Sequence, residues 1–393
     1  MSRTLDDHLT RQVLPDLMPD LIRLSRFVYD HPELGLEEVE SSRAHIELLE
    51  KYGFTVEQPF KGLATAFCAT FDTGRPGRTV AFLSEYDALP GLGHGCGHNI
   101  LGAATTGSGI AASRLIEQGR IQVFGTPAEE TVGSKVTLTR AGAFQQVDAA
   151  LCTHPDRAWY QSGTTMAMES IRFVYRGKPA HAASHPEEGI NALDSIILLF
   201  NSIALLRQQL HETVRIHGII TKGGEAANII PDHCEAEFYV RARTQNELEG
   251  VSARVRQAAQ GAALATGAVL SMEQFEEPYQ DLVTNQTMSA RFNQIMADQG
   301  IVMVSDPSNP GSMDMGDVSH AVPTINPFFA IDESGTCNTH TPEFRDATLT
   351  PYANQSMERI IRGLSQTAQA LIAEDAFFEE VHREFLAAGF QRT

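Results

Sequence analysis

A chain of 393 residues exceeds the usual domain of roughly 100–200 residues, so it reads as two domains or as one large domain carrying an insertion. Apolar residues make up 42% and charged residues 20%, which excludes general disorder. With 49 acidic against 30 basic side chains, the net charge of −19 excludes nucleic acid and anionic membrane as partners unless a local basic run intervenes, and none is long enough. The N-terminal stretch MSRTLDDHLTRQVLPDL lacks the basic-then-apolar order of a secretory signal, and no later run approaches ~18 uninterrupted apolar residues. A cytoplasmic location is expected. The five cysteines, Cys68, Cys96, Cys152, Cys234 and Cys337, are odd in number and scattered, which argues against a disulfide framework.

In chain order, the first fifty residues place apolar side chains at helical spacing (Leu17, Leu21, Leu24, Phe27, then Ile46 and Leu49), broken by the turn-like HPELG at 31–35. Two helices are expected there. From Phe54 the pattern shifts to short β-rich runs, TAFCATF, TVAFLSEYDALP, IQVFGTPAEE and DAALCTHPD, with helical stretches between the last three. This alternation predicts an α/β fold with a mainly parallel sheet and helices on both faces. In such sheets ligands bind beyond the carboxyl ends of the strands, and each of the last three runs ends in polar, metal-competent residues.

Residues 168–277 read differently: strand SIRFVYRG, helix NALDSIILLFNSIALLRQQL, strands VRIHGIITKG and HCEAEFYVRA, helix ELEGVSARVRQAAQGAALATG and strand AVLSMEQF. This is the β-α-β-β-α-β order of a ferredoxin-like α+β module. The expected organisation is a catalytic domain in two parts, 1–167 and 278–393, around an inserted domain at 168–277. The second part resumes with a helix near 285–299, a strand near PTINPFFAI, the loop SGTCNTHTPEF and a long helical region from about 352.

Chemistry concentrates at four places. In GHGCGHNI, residues 93–100, Cys96 and His98 stand too close for one regular helix face, but the surrounding glycines let both turn toward one ion. Alone, the pair reads equally well as a tight turn with a hydrogen-bonded histidine. Glu129 and Glu130 follow a strand, where one carboxylate can bind a metal while its neighbour takes a proton from water; most such pairs are simply exposed surface. His154 in CTHPD and His340 in CNTHTPEF are single histidines, each more often structural than a ligand. As a set, one Cys, one Glu and three His supply about what two open-coordinated divalent ions need. Asp87 in SEYDALPG either orients a ligand imidazole or caps its own turn. In the inserted module His181 and His185 read as surface decoration and Asn228 and Arg241 as structural on spacing alone, although an amide and a guanidinium together suit a substrate carboxylate.

The pieces HPELGLEE, DALPGLGHGCGHN, TPAEE, THPD, GKPAHAA, ANIIPD and GTCNTHTPEF, in this order from about residue 30 to 345, resemble the dinuclear-metal peptidases and amidohydrolases that include aminoacylases and glutamate carboxypeptidases. The branch most similar is that of auxin-conjugate hydrolases and p-aminobenzoyl-glutamate hydrolase. The resemblance implies a catalytic domain built from both ends of the chain, with the inserted module as lid and dimerisation surface. It implies two divalent ions (Zn, Mn or Co) on Cys96, His98, Glu130, His154 and His340, with Glu129 as general base and acid. It also places the family's in-trans histidine at His181, and carboxylate-binding residues at Asn228 and Arg241. Asn99 departs from the C-G-H-D of the auxin-conjugate branch. Glu85 stands where distant carboxypeptidases have a ligand histidine, and it does not inherit that role. His94, Asn99, Glu85 and His185 stay unassigned.

The leading expectation is therefore a homodimeric, metal-dependent amidohydrolase acting on a small-molecule N-acyl or aminoacyl amino-acid conjugate. A non-catalytic binder that retains the fold, and a thiol enzyme using Cys96 as nucleophile, are the alternatives from other classes.

Overall fold

The computed structural model describes residues 2–305 and 311–390. Six strands come first in the chain: β1 (Thr55–Glu57), β2 (Phe67–Asp72), β3 (Thr79–Ser84), β4 (Arg120–Gly125), β5 (Ala149–Leu151) and β6 (His154–Asp156). Four more follow in the middle, β7 (Ala167–Arg176), β8 (Arg215–Lys222), β9 (His233–Ala242) and β10 (Val269–Glu273), and β11 (Thr324–Ile325) and β12 (Phe328–Ala330) come last. The chain divides into two compact units: Met1–Thr164 with Leu282–Asn309 and Asp314–Thr393, and Thr165–Asp281 with Pro310–Met313. No helix among the described residues is long and apolar enough to cross a membrane.

The first unit is built on a six-stranded sheet of order β1-β2-β4-β3-β5-β11. The pairings β3–β4, β3–β5 and β5–β11 are parallel, whereas β2 lies antiparallel to both β1 and β4. The antiparallel edge is what the alternating strand runs alone did not reveal. Every residue of β3 is buried, as a central strand covered on both faces requires. The helix His98–Ser113 contains no charged residue apart from its first histidine and is buried along its whole length. Helices Leu14–Asp30 and Pro351–Ala373 pack against it. The first presents Leu14, Leu17, Leu21, Leu24 and Val28, the i, i+3, i+4 stripe that a core-facing helix needs. A separate parallel pair, β6 with β12, lies outside the main sheet, so His154 opens a short strand rather than ending the one before it.

The second unit is a four-stranded antiparallel sheet of order β10-β7-β9-β8. β9 alternates strictly between buried and half-buried residues. Its buried side chains Cys234, Ala236, Phe238 and Val240 join the core made with helices Ala192–Leu206 and Gln245–Thr266. The register leaves β8 as an edge strand, and Ile219 and Ile220 on it are exposed.

Candidate metal centre and active site

The loops after β3 and β4 bring the polar residues together in the first unit. Asp87, almost fully buried, accepts from His98 Nδ1 at 2.9 Å through Oδ1 and from the Glu130 amide at 2.9 Å through Oδ2. The first bond turns His98 Nε2 into the site; the second fixes the backbone that carries Glu130. Asp87 therefore bonds the His98 ring as well as a neighbouring backbone amide. His98 begins its helix because Gly97 holds φ 80°, and a Cβ there would lie 2.6 Å from Pro155 Cγ. Only glycine fits that corner.

Around this point the ligand atoms of Cys96, His98 and His154 lie within 4.8 Å of one another, as do those of Cys96, Glu130 and His340, and those of Glu85, His98 and Glu129. Cys96 belongs to the first two groups. Its Sγ is 3.4 Å from His154 Nε2, whose ring donates from Nδ1 to the Pro155 carbonyl at 2.7 Å and so leaves Nε2 free to accept. His340 takes the left-handed conformation at φ 63°, and its amide donates to the Gly95 carbonyl at 2.8 Å, which seats its loop on the glycine turn. Its Nε2 lies 3.5 Å from Glu130 Oε1.

Two buried atoms in this cluster, His98 Nε2 and Glu130 Oε1, make no well-formed hydrogen bond among the described residues; each has only an ion-pair neighbour, Glu85 Oε2 at 3.2 Å and His340 Nε2 at 3.5 Å. Solvent-free donor atoms that lack a well-aligned hydrogen bond are costly unless something binds them, and a thiolate, imidazole and carboxylate set suits a divalent ion such as zinc. The donor set fits a metal. Burial pushes the Cys96 thiol well above the usual thiol range, against the pull of His98. Burial of this kind disfavours the thiolate that a metal ligand and a nucleophile both need, unless a positive charge binds it. Burial, with the charges of Glu85, Asp314 and Glu130, raises the Glu129 carboxyl well above the usual range, so it binds a proton readily.

Beneath Glu129 lies a network that the sequence alone did not reveal. Lys135, fully buried, places Nζ 2.8 Å from Glu85 Oε1 and 2.7 Å from Asp314 Oδ1, and its amide donates to Asp314 Oδ2 at 3.1 Å. The other Glu85 oxygen lies 3.2 Å from His98 Nε2. A lone lysine in GSKV carries no local signal of burial, and its partner Asp314 is 179 residues away. His94 and Asn99 turn into the core instead, to the Val28 carbonyl and to Ser25 and Thr348.

The second unit places His181 beside Asn228: the two segments pair there, with the Ala182 amide donating to the Asn228 carbonyl at 3.0 Å. Both residues are exposed. His181 Nδ1 accepts from the amides of Ala183 and Ser184 at 3.2 and 3.1 Å, which puts the ring proton on Nε2. Arg241, on the face of β9 away from the helices, donates to Ser312 at 2.9 Å and lies 5.6 Å from the Tyr239 ring. His185 is exposed, 3.8 Å from Glu187.

Comparison with known proteins agrees with this architecture. The peptidase dimerisation domain family matches residues 166–266. The chain is 34% identical to the Xaa-Arg dipeptidase of Mus musculus, over 92% of this chain and 88% of that one. It is 33% identical to one of the subunits of p-aminobenzoyl-glutamate hydrolase from Escherichia coli K12, over 70% of this chain and 61% of that one. A dinuclear metal-binding peptidase of the M20 family from Bacillus subtilis shares the fold, with a TM-score of 0.69 at 20% identity over 89% of this chain and 98% of that one. An identity of 34% across nearly the whole length makes this chain a member of the M20 family of metal-dependent peptidases and amidohydrolases.

Proposed function

We propose that the protein hydrolyses the amide bond of a small aminoacyl or N-acyl amino-acid conjugate, of dipeptide size, with two divalent ions. The observation that carries this is the pair of ligand groups sharing Cys96 beside Glu129. Cys96, His98, Glu130, His154 and His340 would hold the ions. When bound, they polarise the scissile carbonyl and lower the pKa of water toward ~7. Glu129 accepts the proton of the attacking water and delivers it to the departing amine. Asp87 keeps His98 in one tautomer and orientation.

In the same reading His181 Nε2 donates to the developing oxyanion in the site of the opposite protomer. Asn228 and Arg241 bind the substrate's carboxylate end, where the guanidinium supplies charge-assisted hydrogen bonds. The dimer would form through the second unit. Supporting this are the matched dimerisation domain and the exposed Ile197, Leu198 and Leu205 on helix Ala192–Leu206, with Ile219 and Ile220 on the β8 edge. The two curated relatives act on Xaa-Arg dipeptides and on p-aminobenzoyl-glutamate by their names, so the substrate panel should span basic and acidic C-terminal residues. We place the enzyme in the cytoplasm.

The test is chelation followed by reconstitution with Zn, Mn or Co, assayed against dipeptides ending in Arg, Lys or Glu, p-aminobenzoyl-glutamate and N-acetyl amino acids. Loss on chelation with recovery on one conjugate class is expected. Bound metal with no turnover of any amide in the panel would overturn the proposal. Mixing inactive His181→Ala and Glu129→Gln proteins should regain activity, because one hybrid site then has both residues.

A further inference from the structure

The motif HPELGLEE holds a carboxylate whose bonds lead to the active-site loop. Glu38 is completely buried, at the N-cap of helix Val39–Lys51, where a carboxylate ordinarily accepts from its own helix amides. It makes no such bond. Glu33 does that work, accepting from the Glu40 and Ser41 amides at 2.9 and 2.8 Å. Glu38 reaches 90 residues along the chain instead: Oε1 accepts from the Ala128 amide at 2.7 Å, while Oε2 accepts from Thr65 Oγ1 at 2.9 Å.

Ala128 immediately precedes Glu129, and it stands at φ 59°, in the left-handed region that is strained for a residue with a Cβ. Its carbonyl receives the amides of Val132 and Gly133 at 3.2 and 2.9 Å, closing a tight turn that contains Glu129 and Glu130. The HPELG segment is pressed against this turn: a Cβ on Gly35 would lie 2.3 Å from Thr131 Oγ1 and 2.9 Å from Ala128 Cβ. The Glu33 carbonyl also accepts from the amide of Ala88, next to Asp87, at 2.8 Å. A strained alanine directly before a proposed base persists only where its surroundings over-determine it.

We propose that Glu38 is a positioning residue: its carboxylate fixes Ala128 in the left-handed conformation and thereby aims Glu129 and Glu130. This rests on the roles proposed for those two residues. The variants are Glu38→Ala, Glu38→Gln and the double change Glu38→Ala with Ala128→Gly, read by kcat, KM and the visible absorption and affinity of bound Co²⁺. Glu38→Ala should lower kcat by about 100-fold with little change in KM, as small misplacements of reacting groups do. Its Co²⁺ affinity should fall roughly 10- to 100-fold, because Glu130 is mis-aimed. Glu38→Gln keeps an oxygen acceptor for the Ala128 amide and should remain near wild type. Glycine at 128 adopts positive φ without help, so the double variant should recover most of the lost kcat.

Folded Glu38→Ala with wild-type kcat and Co²⁺ spectrum overturns the proposal, and so does a Glu38→Gln variant as impaired as Glu38→Ala. If Glu38→Ala does not fold, the double variant decides: a folded protein supports the proposal and a second unfolded one overturns it. Full turnover by Glu129→Gln would instead sink the underlying reading of the site, independently of Glu38.

Discussion

The two units offer chemistry in opposite ways. In the first, Asp87, His98, Glu85, Lys135 and Asp314 are buried and cross-bonded, so the fold itself fixes the side chains around the proposed base. In the second, His181 and Asn228 are exposed on paired loop segments, and Arg241 is anchored by one hydroxyl. Buried polar groups must be satisfied in advance; exposed ones can wait for a ligand or a partner. The contrast teaches that changes in the first unit should couple chemistry to stability, whereas changes in the second should separate them.

Glu129→Gln should produce the largest effect, a loss of roughly 100- to 10,000-fold in kcat/KM with metal content retained, measured by turnover and elemental analysis. Lys135→Met leaves Glu85 and Asp314 as buried anions without their cation and should cost about 3–5 kcal/mol in urea unfolding. Survival of this variant at wild-type stability would erase the contrast between the units. His181→Ala should lower kcat roughly 100- to 1,000-fold, as loss of an oxyanion donor does, while urea stability and metal stoichiometry stay unchanged. A drop in stability as large as that of Lys135→Met would show that the second unit, too, binds its reacting groups into the fold.

The last effect is a pH slope. Burial holds His45 near a pKa of about 3, against 6.5 when unfolded, so the unfolded chain binds the extra proton between those values. The stability from neutral His45 is fully present above about pH 6.5 and is lost as pH falls toward about 3, with a slope of up to about 1.4 kcal/mol per pH unit. Burial raises Glu38 to about 7, with the opposite sign: its contribution is present below its unfolded value of 4.5 and is lost as pH rises through about 7. Urea titrations of wild type and His45→Phe between pH 4 and 7 check this; an identical slope in both removes His45 from the account.

What the sequence disclosed follows from the range of the interactions. The helix Leu14–Asp30 was legible because one-sided burial imposes a period on neighbouring residues, and β3 because burial on both faces leaves a short continuous apolar run. The short β6 and β12 were not, since three residues cannot show a period. Cys96, His98, Glu130, His154 and His340 drew attention because their residue types have few other uses when clustered near strand ends. Lys135 and Glu38 escaped because each is explained only by a residue 179 or 90 positions away, and locally they look like a solvated lysine and a helix cap.

The Lys135–Asp314 pair also orders events during synthesis. The lysine is made 179 residues before its aspartate, an interval of roughly 10–40 s at ordinary elongation rates. Until then the β3 and β4 region lacks one of the two carboxylates that pair with the buried lysine. The intervening residues 165–281, with a hydrophobic core of their own, can fold while the surrounding unit waits for its C-terminal half. The expected order for the nascent chain is therefore residues 165–281 first and the surrounding unit second.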